Sequence, residues 1–159
     1  NCAGSPRRGA LPGLSREDWD GVLSVDLTGA FLFIREVAPR MAEEGGGRIV
    51  NVAATVGLRA RRGAATHAAA KAGLIGLTRA SARDLGRRNI NVNAVAPGLV
   101  ETAMTADISP EKRRALVEES CLGRVAQPED VAEVIAFLCG PGARHITGEV
   151  IRVDGGQLA

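Results

Sequence analysis

Cysteine is scarce in this chain: three residues, at positions 2, 121 and 139, none at the paired spacing of a disulfide framework or a zinc site. That excludes a small cross-linked scaffold, and no metal centre is expected; His145 reads as a surface residue with no second ligand beside it. No apolar run approaches the roughly 18 residues of a membrane span. No charged-then-apolar leader opens the chain, so a cytoplasmic location is expected. Charge of one sign is also missing. Twenty basic residues face 18 acidic ones, and a net charge of +2 gives no argument for nucleic acid. Neither nucleic acid nor membrane is an expected partner. What is present suits a folded core: 159 residues, 45% hydrophobic and 24% charged. That is one ordinary domain, able to bury roughly 70% of its unfolded surface, and it excludes disorder as the dominant state. No repeat, linker or second domain is visible, so residues 1–159 are read as one unit. The first residue is Asn rather than Met, as in a fragment, a processed chain or a trimmed one.

Ser15 before Arg16-Glu17-Asp18 is a helix N-cap signal, with acidic residues in the first turn. Trp19, Val22, Leu23, Leu27, Ala30, Phe31, Ile34, Val37, Ala38 and Met41 then recur at gaps of three and four, which predicts one long helix over 16–44. Gly45-Gly46-Gly47 stops it. Residues 48–52 form a β-branched run fit for a buried strand. A Gly- and Arg-rich loop over 57–63 leads to a second long helix over 64–87, rich in small residues. Residues 90–95 are the next strand, broken by Pro97-Gly98. Ser109-Pro110-Glu111 and Gln127-Pro128-Glu129-Asp130 start two further helices, and 148–153 is the last strand. Strands alternating with helices predict βαβ units and a parallel sheet of three strands.

Five segments carry a resemblance. Asn1-Cys2-Ala3-Gly4, 47–52, Ala68-Ala69-Ala70-Lys71-Ala72-Gly73-Leu74, Asn91 to Gly98, and Ile146-Thr147-Gly148 through Asp154-Gly155-Gly156 resemble, in order, motifs of the short-chain dehydrogenase/reductase family, in its 3-oxoacyl-acyl-carrier-protein reductase branch. The resemblance covers the C-terminal two-thirds of that fold. It implies a partial doubly wound, Rossmann-like α/β domain without the N-terminal Gly-rich phosphate turn. No G-x-G-x-x-G occurs in the chain.

The resemblance also implies a site. The family reduces a carbonyl with a nicotinamide hydride, using a Tyr proton donor, a Lys that lowers the Tyr pKa and holds the ribose, a Ser that orients the carbonyl, and an Asn that holds a relay water. The Lys position is Lys71. The Tyr position, one helical turn earlier, is His67; the Ser position is Ala54; the Asn position is Asp26. Asn1, Ala3, Gly4, Lys71, Pro97, Gly98, Val100 and Thr102 match cofactor-binding positions, for NADP or NAD, which the 159 residues alone are expected to bind weakly or not at all.

Each residue has a plainer reading beside the functional one. An imidazole such as His67 can act as acid or base near neutrality, or be a surface His in a site that has lost its chemistry. Lys71 holds a ribose or pairs with Asp26, and Asp26 is the pair's partner or a base. Thr55 and Thr66 could replace the missing hydroxyl, but strand alternation would turn Thr55 away from Ala54. Arg59, Arg61 and Arg62 form a solvated face or attract an anionic substrate. Of two carrier-docking Arg positions in the family, one is Arg88 here and the other is Gly45. The leading expectation is an NAD(P)-linked oxidoreductase acting on a small or carrier-bound substrate through a divergent active site, as a homodimer or homotetramer. The alternatives are a non-redox dehydratase, isomerase or cyclase using His67 and Asp26, and a catalytically silent, oligomer-forming protein.

Overall fold

The computed structural model describes residues 1–5 and 9–159. Three strands, β1 (Gly47–Val52), β2 (Ile90–Pro97) and β3 (Val150–Val153), form one parallel sheet in the order β1-β2-β3. Gly47 pairs with Ile90 and Val52 with Val95; Ala94 pairs with Val150 and Pro97 with Val153. The C-terminal ends of β1 and β2 therefore lie side by side, where ligands bind in open parallel sheets.

Side-chain alternation divides the core. Ile49, Ile90 and Val92 face one way, against Ile34, Ala38 and Ala82 of helices α2 (Gly29–Glu43) and α3 (Ala65–Leu85). Val50 and Val95 face the other way, against Val131 and Leu138 of α5 (Pro128–Cys139). Both faces of the sheet are covered, the doubly wound arrangement that the alternation of elements predicts. β2 is buried along its whole length, and its Asn residues are tied down. Asn91 and Asn93 donate to Ile146 O at 2.8 Å, Asn91 also to Arg144 O, and Asn93 Oδ1 accepts from Glu149 N at 3.1 Å.

The first long helix differs from its expected form. α1 (Arg16–Leu23) starts on Ser15, whose Oγ accepts from Asp18 N at 3.0 Å, but a π-helical turn over Ser24–Thr28 separates it from α2. There Gly29 N–H donates to Ser24 O, five residues back. The widened turn carries Asp26, and such turns recur at functional sites. At the far end, Gly45 (φ +90°) and Gly46 (φ +136°) make the chain reversal into β1. Asn89 fastens that reversal by donating to Gly45 O at 2.8 Å and accepting from Gly47 N.

α3 is followed by a 3₁₀ turn at Gly86–Arg88, and α4 spans Pro110–Glu118. Among the described residues, no helix is long and apolar enough to cross a membrane.

Candidate active site

Four pieces of chain meet at the C-terminal end of β1. The π-helical turn contributes Asp26, α3 contributes His67 and Lys71 one turn apart, the segment Gly4-Ser5 lies against them, and Val52 closes β1. Tight packing brings α3 this close. A Cβ on Gly73 would lie 2.8 Å from Leu27 Cδ2, and one on Gly57 would lie 2.8 Å from the Lys71 carbonyl carbon.

Asp26 is the centre. Its Oδ1 accepts from Ser5 N at 2.7 Å. Its Oδ2 lies 3.2 Å from His67 Nδ1 and 3.6 Å from Lys71 Nζ. The Asp26 side chain is fully buried, that of Lys71 is 6% exposed and that of His67 28%. Lys71 Nζ also donates to Val52 O at 2.9 Å. Asp26 Oδ2 and His67 Nδ1 are both buried, and although at contact distance they are not aligned as a hydrogen bond. Burial pushes the Asp26 carboxyl up. The His67 contact, the Lys71 charge and the Ser5 N–H outweigh it and hold the group below the ordinary aspartate value.

Ala54 lies two residues past the end of β1, half-buried and extended, ahead of a 3₁₀ turn at Thr55–Gly57. Its methyl supplies no hydroxyl. The alternation argument for Thr55 fails, because β1 ends at Val52 and Thr55 is a buried residue of the turn. Thr66 is buried within α3.

The remaining expected binding residues fall into two groups. Asn1 runs beside β1: Val52 N donates to its carbonyl at 2.9 Å, and its side chain donates to Asn51 Oδ1 at 2.7 Å. Ala3 is exposed, and Gly4 covers the cluster, a Cβ there lying 3.6 Å from Asp26 Oδ2 and 3.8 Å from Lys71 Nζ. Pro97 and Gly98 end β2 beside the last strand, with Gly98 N donating to Val153 O at 3.1 Å. Val100 and Thr102 belong to the next loop, where Thr105 Oγ1 donates to Val100 O at 2.6 Å and accepts from Thr102 N. The structure thus gathers Gly4, Asp26, His67 and Lys71 into one cluster. It sets Pro97 and Gly98 on the adjoining strand end and occupies the loop residues with local bonds.

Sequence reasoning missed Ser5 and Val52, which act through backbone N–H and C=O groups that no side-chain motif reveals. The Arg-rich loop is tied down: Arg61 pairs with Glu119 just past α4, Arg59 lies 3.6 Å from the same carboxylate, and Gln157 donates to it at 3.3 Å. Arg62 and Arg88 are exposed. Two concavities, of about 260 Å³ near Leu116 and Arg124 and about 520 Å³ near Leu58 and Arg79, lie apart from Asp26, His67 and Lys71. The convergence of three ionisable groups marks the site better than either hollow does.

A nicotinamide dinucleotide fits these residues at one end. The Lys71 ammonium, fixed on Val52 O beneath the Cβ-less Gly4, has donor capacity left for a ribose hydroxyl. No G-x-G-x-x-G is present for the pyrophosphate.

Known proteins match the chain over nearly its whole length. A family model described as enoyl-(acyl carrier protein) reductase matches residues 1–157. The chain is 44% identical over 158 residues to the 3-oxoacyl-[acyl-carrier-protein] reductase FabG of Thermotoga maritima and 46% identical over 158 residues to that of Aquifex aeolicus. Each match covers 99% of this chain and 64% of the relative. A crystal structure from Agrobacterium tumefaciens, of a protein described as a gluconate dehydrogenase, superposes with a TM-score of 0.96 at 33% identity, over 99% of this chain and 63% of that one.

Proposed function

The chain belongs to the short-chain dehydrogenase/reductase family, and from that premise we propose that it takes part in NAD(P)-dependent interconversion of a carbonyl and a hydroxyl on a small or acyl-carrier-bound substrate. The observation that carries this reading is the Asp26–His67–Lys71 cluster at the C-terminal edge of a parallel sheet. Bound there, the dinucleotide would supply hydride. Lys71 would hold its ribose, with Gly4 leaving room, while Asn1, Ala3, Pro97, Gly98, Val100 and Thr102 are the further contacts assigned by position. His67 would handle the proton that Tyr handles in the family, and Ala54 would leave the carbonyl oxygen one hydrogen bond short. We read residues 1–159 as the C-terminal portion of a single Rossmann-like domain acting in the cytoplasm.

The test uses two proteins: the 159-residue chain, and the same chain preceded by the part of the Thermotoga relative that the match does not cover. Nicotinamide fluorescence on mixing with NADPH or NADH should change only for the second, which should also reduce a 3-oxoacyl substrate. Micromolar binding by the 159 residues alone would refute the assignment of phosphate binding to a missing turn, and no turnover by the longer protein would refute the oxidoreductase reading. The close His67–Asp26 pair favours a second reading, non-redox proton transfer such as dehydration or isomerisation, which would show as turnover without dinucleotide.

Self-association is part of the proposal. Val25, Phe31, Leu32 and Phe33 are exposed along one helical stretch. Sedimentation at micromolar concentration should give a dimer or tetramer, and a monomer would refute this.

A further inference from the structure

We propose that Asp26 is a positioning residue for His67: it holds the proton on Nδ1 and leaves Nε2 as the atom that exchanges a proton with substrate. The inference rests on the reading of His67 as the proton-handling group, and it adds an assignment of atoms.

The argument starts from what each atom can do. An aspartate carboxylate only accepts hydrogen bonds. His67 Nδ1 lies 3.2 Å from Asp26 Oδ2, and both atoms are buried. If Nδ1 carried a lone pair, two acceptors would face each other away from water, at the full cost of an unpaired buried polar group. If Nδ1 carries the hydrogen, a small ring rotation completes the bond. Asp26 is itself fixed from the other side by Ser5 N on Oδ1 at 2.7 Å, so the carboxylate is a fixed reference for the ring. With Nδ1 buried, the exposed part of the imidazole lies on its other atoms.

The rest of the surroundings agree. Among the described residues, the ionisable group facing the Asp26–His67 pair is Lys71, from the helix of His67 itself; the neighbouring N-terminal segment brings the backbone N–H of Ser5. Lys71 is turned to Val52 O at 2.9 Å and lies 3.6 Å from Asp26 Oδ2, so Oδ2 is shared by two donors. A neutral amide at position 26 could present either an acceptor or a donor to Nδ1. Aspartate presents only an acceptor, and so selects one tautomer. In carbonyl reduction with a hydride donor, protonated His67 would give its Nε2 proton to the oxygen that receives the carbonyl π pair, and would end as the neutral Nδ1–H form. In alcohol oxidation Nε2 would take the hydroxyl proton.

The chain has two His residues, 67 and 145, and His145 is exposed. In ¹⁵N-labelled H145Q protein, His67 is the single imidazole reporter. At a pH where its ring is neutral, long-range ¹⁵N correlation should show Nδ1 with a pyrrole-type shift and Nε2 with a pyridine-type shift. Asp26→Leu, which offers Nδ1 no acceptor, should lose that pattern in favour of the Nε2–H form. A dominant Nε2–H tautomer in the unsubstituted site would overturn the inference, as would an Asp26→Leu spectrum that keeps Nδ1–H. Should Asp26→Leu fail to fold, the H145Q spectrum decides alone. The readout needs no cofactor, so failure of the extended protein to bind NADPH would sink the proposed activity while leaving the tautomer result standing.

Discussion

Two groups of buried polar side chains are treated differently. Along the sheet, Asn51, Asn91 and Asn93 are buried and bonded. Asn51 donates to Thr78 Oγ1 at 2.9 Å and accepts from Asn1, and the β2 pair pins the backbone of 144–149. At the end of the same sheet, Asp26 Oδ2 and His67 Nδ1 lie close together without an aligned bond, and Lys71 is only partly engaged. Polar burial that specifies structure is satisfied, because each unmade bond is costly. Polar burial that keeps spare capacity marks a place where something further is bound or a proton moves.

The largest effect should come from breaking the unsatisfied side of that contrast. His67→Gln, tested in the extended protein, should cut turnover by about 10²–10⁴-fold, the range of a lost general acid or base. Its melting curve should barely move, because a 28% exposed ring carries little of the core. A rise in activity on His67→Tyr would instead make the imidazole a poor replacement for a phenol, and adding Ala54→Ser should then raise turnover further.

The satisfied side should respond in the opposite way. Asn93→Ala would orphan Glu149 N, at about 1–3 kcal/mol, and leave Ile146 O with Asn91 as its remaining donor. Urea unfolding should show a lower midpoint, while the ¹⁵N pattern of His67 stays as it was.

Much of this was legible in the sequence. Short β-branched runs, helix-start signals and period-3.6 patterning located the three described strands and the longer helices, because a buried strand or helix stripe leaves a trace in composition and spacing. Spacing placed His67 and Lys71 on one helix face. The π-helical turn at 24–28 was not legible, since the apolar gaps of three and four run through it unbroken. The shift of backbone bonding that carries Asp26 leaves no composition signal. The alternation argument for Thr55 does not apply, because the strand ends at Val52 and the chain already turns there. The Arg-rich loop gave its charge but not its partner: Glu119 is 58 residues from Arg61, and local reading cannot see a pair at that distance.

Acid provides a milder perturbation. The Asp26 carboxyl is held below its ordinary value in the fold, so its contribution is present above the unfolded value of about 3.9 and is lost as pH falls through the folded one. Asp130, bonded by Arg124, behaves alike, with its carboxyl lowered to about 2. Urea midpoints should therefore show no loss from these two groups between pH 7 and 5, and should fall below about pH 4. Lys71→Met removes one of the influences that lower Asp26, so its decline should begin at higher pH than that of the native chain. Coincident profiles would mean that Lys71 does not act on Asp26.

The smallest effect is expected where the charges are most conspicuous. Arg61 and Glu119 join the loop before α3 to the end of α4, and Arg59 and Gln157 share the same carboxylate. The Arg61 and Glu119 side chains are 30% and 37% exposed, so water and salt screen the pair. Exposed ion pairs contribute about 0–1 kcal/mol. Arg61→Ala should therefore lower stability by no more than that, and the difference should shrink as salt is raised from 0.05 to about 0.5 M. A larger loss, or one insensitive to salt, would mean that the pair sets the fold of this face as Asn93 does in the sheet. The division between structural and spare polarity would then fall between the Arg-rich loop and His67 rather than at the edge of the sheet.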